Sequence, residues 1–362
     1  NMKLISFLFT VLVNLNIAYG FDISKDILDK LDRAIHNNPN DIAAYNHAAT
    51  ELNDSHQFKE SIKVCQKALK IDSKDAFCYM EISRSYLELG KKSEALKMVE
   101  KSIKLDPNNI FALYQKIFVL DSIKPINKKE LVKLGYKILE KNSEDKLAYI
   151  VLIKSLAGLG KKREMISAAE KYISYHASVV NYLNLANAYA EIGKPDEYLL
   201  TIEKAINLDQ SDLRPLWFKI QALFHLKRYV EVIPVSNKFL KLQPDNTGVL
   251  AFKADALATL ARYEEALNTY NIAIETKPKN PTALYLCKGL MLHKLGRLRE
   301  SVQMYNKVLR LDPKNVSAYN NLGFVLSDMG QNKAAMEAYE KGLKIDPNNQ
   351  LIQANKKILE SK

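Results

Sequence analysis

The sequence predicts an all-α solenoid of paired helices, on three observations. Its prolines mark a period: Pro244, Pro278, Pro313 and Pro347 stand 34, 35 and 34 residues apart, and Pro39 and Pro107 stand 68 apart, two such periods. Within each period the apolar residues recur at helical offsets. Only 12 Gly and 11 Pro interrupt 362 residues rich in Ala, Leu, Lys and Glu, all good helix formers. A repeat array packs each unit on its neighbours, so its core lengthens without the size limit of a globular domain.

The stretch Val316 to Asn349 shows the unit most clearly. Tyr319, Leu322, Gly323 and Leu326 share one helical face. Met329-Gly330 ends that helix, because Gly accepts the left-handed conformation found at helix C-termini. Ala335, Tyr339 and Gly342 share the face of a second helix. Asp346-Pro347-Asn348-Asn349 closes it, since Pro cannot continue a helix. The same places hold Tyr285, Gly289, Ser301, Tyr305 and Pro313 one unit earlier, and Tyr79, Ile82, Ser83, Tyr86, Ala95 and Pro107 far upstream.

On these residues the chain resembles the tetratricopeptide repeat family. The resemblance covers roughly residues 42 to 349 as nine units: 42–75, 76–109, 110–145, 146–178, 179–212, 213–246, 247–281, 282–315 and 316–349. It implies a right-handed superhelical solenoid of helix-turn-helix repeats. Residues 21–41 read as an N-terminal capping helix with Ser24 as its N-cap, and 350–362 as a half-polar closing helix. Some units depart from the pattern. Lys124-Pro125-Ile126-Asn127 replaces the tight turn of the third unit, the fourth and fifth lack the exit proline, and Pro234 should kink or shorten a second helix. The region from about 110 to 246 is therefore expected to be the least regular.

Residues 1–20 read as a secretory signal rather than as fold. Met2-Lys3 precedes an apolar run from Leu4 to Val13, and Ala18-Tyr19-Gly20 offers small residues for cleavage after Gly20. The expected location is exported, periplasmic or secreted. A membrane would be involved only if that segment stayed uncleaved as an anchor. Cys65 and Cys78 fall on consecutive helices, close enough to pair or to serve as small core residues. Asn53-Asp54-Ser55 and Asn315-Val316-Ser317 are sequons, relevant only to a eukaryotic secretory route.

The formal net charge is +12. The lysines are spread along the chain and many sit near helix ends, where they complement the helix dipole. No basic run with interleaved aromatics occurs, which argues against nucleic acid as a partner. Lys116, Lys219, Lys253 and Lys288 occupy one place in four units, where their stems would cover apolar surface. No nucleophile, phosphate-loop or metal-ligand motif is present, so the reading is a non-enzyme with no cofactor, no metal and no small-molecule substrate.

The resemblance implies that the first helices line a groove for protein or peptide partners. Positions two, five, six and nine of each unit would point into it. The residues singled out are Met80, Arg84, Tyr114, Phe118, Ile150, Leu183, Asn184, Asn187, Trp217, Phe218 and Asn321. Their apolar share suits an apolar or amphipathic segment. Two specialisations of the family match poorly. Asn46, His47 and Thr50 do not form a carboxylate clamp. Asn184 and Asn321 fit an asparagine ladder, but Glu81, Gln115, Val151, Phe218, Phe252 and Cys287 break it. The function expected is an exported scaffold or adaptor. A holdase-type or targeting chaperone for apolar segments, and an anchored noncatalytic subunit of a membrane-associated enzyme complex, stay open beside it.

Overall fold

The computed structural model describes residues 23–36 and 38–361; the segment read as an export signal lies outside them. The described residues form helices joined by short turns, and the chain divides into two compact units between Tyr175 and His176.

The first unit opens with α1 (Ile23–Ile35). Four helix pairs follow: α2 (Ile42–Asp54) with α3 (Phe58–Ile71), α4 (Ala76–Glu88) with α5 (Lys92–Leu105), α6 (Ile110–Ser122) with α7 (Lys128–Leu139), and α8 (Lys146–Gly158) with α9 (Lys162–Tyr175). The second unit contains α10 (Val179–Glu191) with α11 (Pro195–Leu208), α12 (Leu213–His225) with α13 (Tyr229–Leu242), and α14 (Thr247–Thr259) with α15 (Tyr263–Glu275). It continues with α16 (Thr282–Lys294) and α17 (Leu298–Leu311), then α18 (Val316–Asp328) and α19 (Asn332–Ile345), and ends with α20 (Gln350–Glu360).

Local chemistry sets the helix ends. Nearly every first helix is capped by the Asp, Asn or Ser just before it. The Asp41 carboxylate accepts the Ala44 amide, and the Asn109, Asp145, Ser178, Asn246 and Asn315 side chains act alike. Pro281, before α16, makes no such bond. The exit turns are closed by aspartates that accept the amide two residues on, as Asp106 does from Asn108 at 3.0 Å and Asp209 from Ser211 at 2.9 Å.

Between the paired helices the chain turns through one left-handed residue. Gly90, Gly160, Gly193, Gly296 and Gly330 serve with φ between 71° and 74°. His56, Lys227 and Ala261 hold the same place at φ 60°, 59° and 58°, where a Cβ is strained. The third repeat instead turns through a cis Lys124–Pro125 bond, and Asn127 caps α7 on the Glu130 amide.

Each pair buries a seam of small residues facing large ones. A Cβ on Gly323 would stand 2.5 Å from Cε1 of Tyr339, and one on Gly289 would stand 2.7 Å from Cε1 of Tyr305. The Ser61 hydroxyl donates to the Ala49 carbonyl at 2.9 Å, and Ser301 does the same to Gly289 at 2.7 Å.

Several expectations are corrected. α1 starts at Ile23, so Ser24 lies in its first turn and is not the N-cap. Pro234 does not shorten α13, which keeps the 14 residues of its counterparts. The carbonyl that Pro234 leaves unbonded belongs to Val230, on the exposed side of the helix, where water can serve it. The helix 350–360 is less polar outside than expected, with Leu351 and Ile358 both exposed. Cys65 and Cys78 are free and fully buried, and Cys78 Sγ lies 3.1 Å from Asn46 Oδ1. Neither sequon asparagine is available. Asn53 is buried and hydrogen-bonded to Glu81, and Asn315 is the cap of α18.

Two substitutions should move stability in opposite directions in urea unfolding. Gly323→Ala forces a methyl into the Tyr339 ring and should cost about 1–3 kcal/mol. Ala261→Gly relieves a left-handed residue and should stabilise by about 0.5–1 kcal/mol. An unshifted midpoint for Gly323→Ala would show that the seam is loosely packed.

Candidate functional site

Residues are numbered here within each repeat from the first residue of its first helix. The buried face of that helix carries positions 4, 8 and 11, as Tyr45, Ala49 and Leu52 show. Positions 2, 9 and 13 are exposed in most repeats, and positions 5 and 6 are half-closed in most. These five positions form one stripe along the helix. It is the candidate contact face, described separately for each unit.

In the first unit Phe118 and Ile150 stand open, 50% and 44% exposed, at positions 9 and 5. Phe111, at position 2 of the same helix as Phe118, is 67% exposed. Such exposure of large apolar side chains marks contact surfaces. The charges beside them are paired internally. Arg84 donates to Asp54 at 2.6 Å and stands 3.8 Å from Glu81, and Lys154 stands 3.7 Å from Asp121. Tyr114 is half-buried and its hydroxyl donates to the Asp145 carboxylate. Burial first, and Asp145 second, push its pKa to about 12. Tyr114 is thus a tie between the third repeat and the cap of the fourth.

Met80 does not reach the face. It is buried with Val99 and Ala112, against Phe77, Leu96 and Ile103. Beside it Glu81 is buried as well, and its carboxylate accepts from Asn53 Nδ2 at 2.6 Å. Ser85 donates to Asn53 Oδ1 at 2.7 Å, which completes the network. Burial raises the Glu81 pKa against the lowering effects of Asn53 and Arg84.

In the second unit Leu183 is likewise closed into the core, among Val179, Ala186 and Leu199. Trp217 and Phe218 are half-buried and pack on that core. Phe252 meets the Trp217 ring edge-on at 5.7 Å, and a Cβ on Gly248 would lie 3.2 Å from Trp217 Cη2. The superposed first helices hold this indole between them, which explains why it is packing rather than open face. Asn184 and Asn187 are exposed. Asp255, at position 9 of the seventh repeat, is engaged by the Tyr270 hydroxyl, and burial raises its pKa. Asn321 is half-buried and accepts from Asn320 at 3.3 Å, while Asn320 accepts from Asn355 at 2.9 Å.

Open apolar residues return further along. Leu290 and Phe324 are exposed at position 9 of the eighth and ninth repeats. Leu351 and Ile358 on α20 fall at positions 2 and 9 if the 34-residue register is continued to Gln350. His293 lies edge-on to Phe324 at 5.4 Å, and its Nε2 is 2.8 Å from Asp328. Leu351 and Ile358 escape a reading of α20 as a closing helix and not as a further first-type helix, and Leu290 on α16 is a position 9 residue that the sequence-based choice of groove residues leaves out. The continued register was the available signal.

Family models describe the same repeats. One for the tetratricopeptide repeat matches residues 316–349, a second matches 78–109 and 180–212, and a related TPR-repeat model matches 289–330. No curated protein matches the sequence. Among solved structures, YrrB, described as a TPR protein with an unusual peptide-binding site, is similar at 23% identity and TM-score 0.46, over 53% of this chain and 99% of its own. MamA from Desulfovibrio magneticus RS-1 is similar at 23% identity and TM-score 0.44, over 48% of this chain and 97% of its own. A thermophilic TPR protein of Thermus thermophilus is similar at 19% identity and TM-score 0.38, over 51% of this chain and 100% of its own. These likenesses say nothing of what this chain binds.

The Glu81 network makes a pH prediction. A carboxyl whose pKa is higher folded than unfolded holds its proton more firmly when folded. Its contribution to stability is present at low pH and falls as pH rises from the unfolded pKa through the folded one. Glu81→Gln removes that titration. The variant should gain on the wild type as pH rises through this window, read as urea midpoints at several pH values. A constant difference would show that Glu81 ionises freely.

Proposed function

We propose, from the premise that this chain is a tetratricopeptide-repeat protein, that it is a scaffold holding polypeptide segments on the open face of its first helices. The observation that carries the reading is the exposure of Phe111, Phe118 and Ile150 beside charges that already have internal partners. A face of this kind favours an uncharged, apolar or amphipathic stretch, because a partner charge there would find no free counter-charge and would lose its water. Aromatic side chains supply much contact area with few rotatable bonds, as binding hot spots do.

Export is part of the proposal. It rests on the Met2-Lys3 start, the apolar run and the small residues before Phe21. A chain beginning at Phe21 in the mass spectrum of the native protein is the expected result, and a retained residue 2–20 segment would remove export with cleavage.

The face is tested by a binding screen against immobilised peptides. Phe111→Ala with Phe118→Ala should abolish capture of apolar segments and leave thermal stability within about 0.5 kcal/mol of the wild type, since both side chains are exposed. Trp217→Ala should instead cost about 3 kcal/mol by opening the core. Unchanged capture by the double variant would reject the first unit's face as the binding site.

A further inference from the structure

The four lysines at position 7 share a register but not their surroundings. Lys116 Nζ lies 3.3 Å from Glu100 and 3.0 Å from Glu130. Lys219 is paired with Glu203. Both therefore leave the first helix toward the second helices and end on carboxylates there. Among the described residues, neither Lys253 nor Lys288 has a carboxylate in ion-pair contact.

The sequence register explains the difference. Glu100 and Glu203 occupy position 25 of the preceding repeat, and before Lys253 and Lys288 that position holds Asn237 and Asn271. The Asn271 Oδ1 atom is buried without a hydrogen-bond partner. The other acid available to Lys116, Glu130, corresponds to Glu265 and Glu300 in the seventh and eighth repeats once the longer third turn is allowed for. Those two are already taken. Arg262 grips Glu265 through two bonds of 2.7 Å, and Arg297 grips Glu300 at 2.8 and 2.7 Å. Bidentate arginine pairs of this kind hold their carboxylate firmly. Position 25 is an amide and the other acid is held by arginine, so two consecutive repeats each present a half-buried lysine with no carboxylate in ion-pair contact. Burial lowers the pKa of both lysines, and Lys307 lowers that of Lys288 further.

We propose that the second-helix side around Lys253 and Lys288 is a docking surface for an acidic polypeptide segment, whose carboxylates take the places that Glu100 and Glu203 fill for Lys116 and Lys219. Charge complementarity selects the occupant. Glu265, Glu275 and Glu300 lie among the cations. They break the continuous positive field that a nucleic-acid backbone requires, while discrete carboxylates can seat between them. The surface is separate from the open face of the first helices, so it is a second contact and stands independently of the first.

The test is titration calorimetry of the full chain with an oligoglutamate peptide at two salt concentrations. The wild type should bind, more weakly at higher salt. Lys253→Met with Lys288→Met should weaken binding roughly tenfold. Asn237→Glu with Asn271→Glu, which keeps both lysines and supplies them with internal acids, should weaken it by a similar factor. Lys59→Met with Lys67→Met, on exposed residues of the first repeat, matches the charge change of the lysine pair and should leave binding unaltered, as should Phe111→Ala with Phe118→Ala. The proposal is overturned if the two position-7 and position-25 variants bind like the wild type, or if the charge-matched control weakens binding equally. It is overturned too if the wild type ignores the peptide and binds single-stranded oligonucleotide or phosphatidylglycerol vesicles through the same lysines.

Discussion

The volume available between the two helices of a repeat is the constraint on which the rest of this structure depends. Protein interiors are close-packed, so a large side chain on one helix requires a small one opposite. In the eighth and ninth repeats the first helix supplies the small residue, Gly289 or Gly323, and the second supplies Tyr305 or Tyr339. In the sixth repeat the order is reversed at the same positions, with Ile220 on the first helix and Ser236 on the second, both fully buried. In the third repeat the small residue of the second helix, Gly135, faces the next repeat instead, where a Cβ would stand 3.3 Å from Cβ of Leu152. Helix separation is kept by the sum, and either helix can carry the bulk. The hydroxyls at this seam are the cost: Ser236 Oγ and Tyr305 OH are buried without partners.

Because the seam uses one side of each first helix, the opposite side is left for other work. How much of it stays open depends on the next repeat. Position 2 and position 9 side chains project beyond the neighbouring helix, as Phe111, Phe118 and Phe324 do. Position 5 lies nearer the contact between successive first helices, and there Met80, Leu183 and Trp217 are drawn into the core. Ile150, also at position 5, stays exposed, so whether an apolar residue at that position packs depends on the side chains around it as well as on its place in the register. Tyr114 and Asp255 show a third outcome, in which a polar atom on the stripe is bonded to a phenol or carboxylate of an adjoining helix.

Charge follows similar logic on the other side. Position 7 lysines reach across to the second helices, and their state is decided by what two other positions supply. Where Glu100, Glu130 or Glu203 is free, the lysine is neutralised within the protein. Where arginine at position 16 has taken the local glutamate and position 25 is an amide, the ammonium has no acid in ion-pair contact. A single lysine repeated in register thus does two different jobs, one structural and one available to a partner.

What the sequence determined by itself was local and periodic. The proline period, the Gly330-type turn residues and the Asp or Asn caps specify helices and their ends through contacts within a few residues, and such contacts are legible from spacing alone. That Gly323 and Tyr339 lie on the inward faces of their helices was legible from recurring offsets, while their contact with each other came from the structure. Ser24 and Pro234 were misread at the same local level, since tertiary packing can extend a helix past a capping residue and carry a proline on an exposed side. Only the tertiary structure decided which groove candidates are open. Phe118 and Ile150 are exposed, Met80 and Leu183 are buried, and Trp217 is held against Phe252. The tertiary structure also decided which position 7 lysines lack acids. Exposure and ion pairing depend on side chains one repeat away, on a neighbouring helix whose placement no periodic pattern within a single helix encodes.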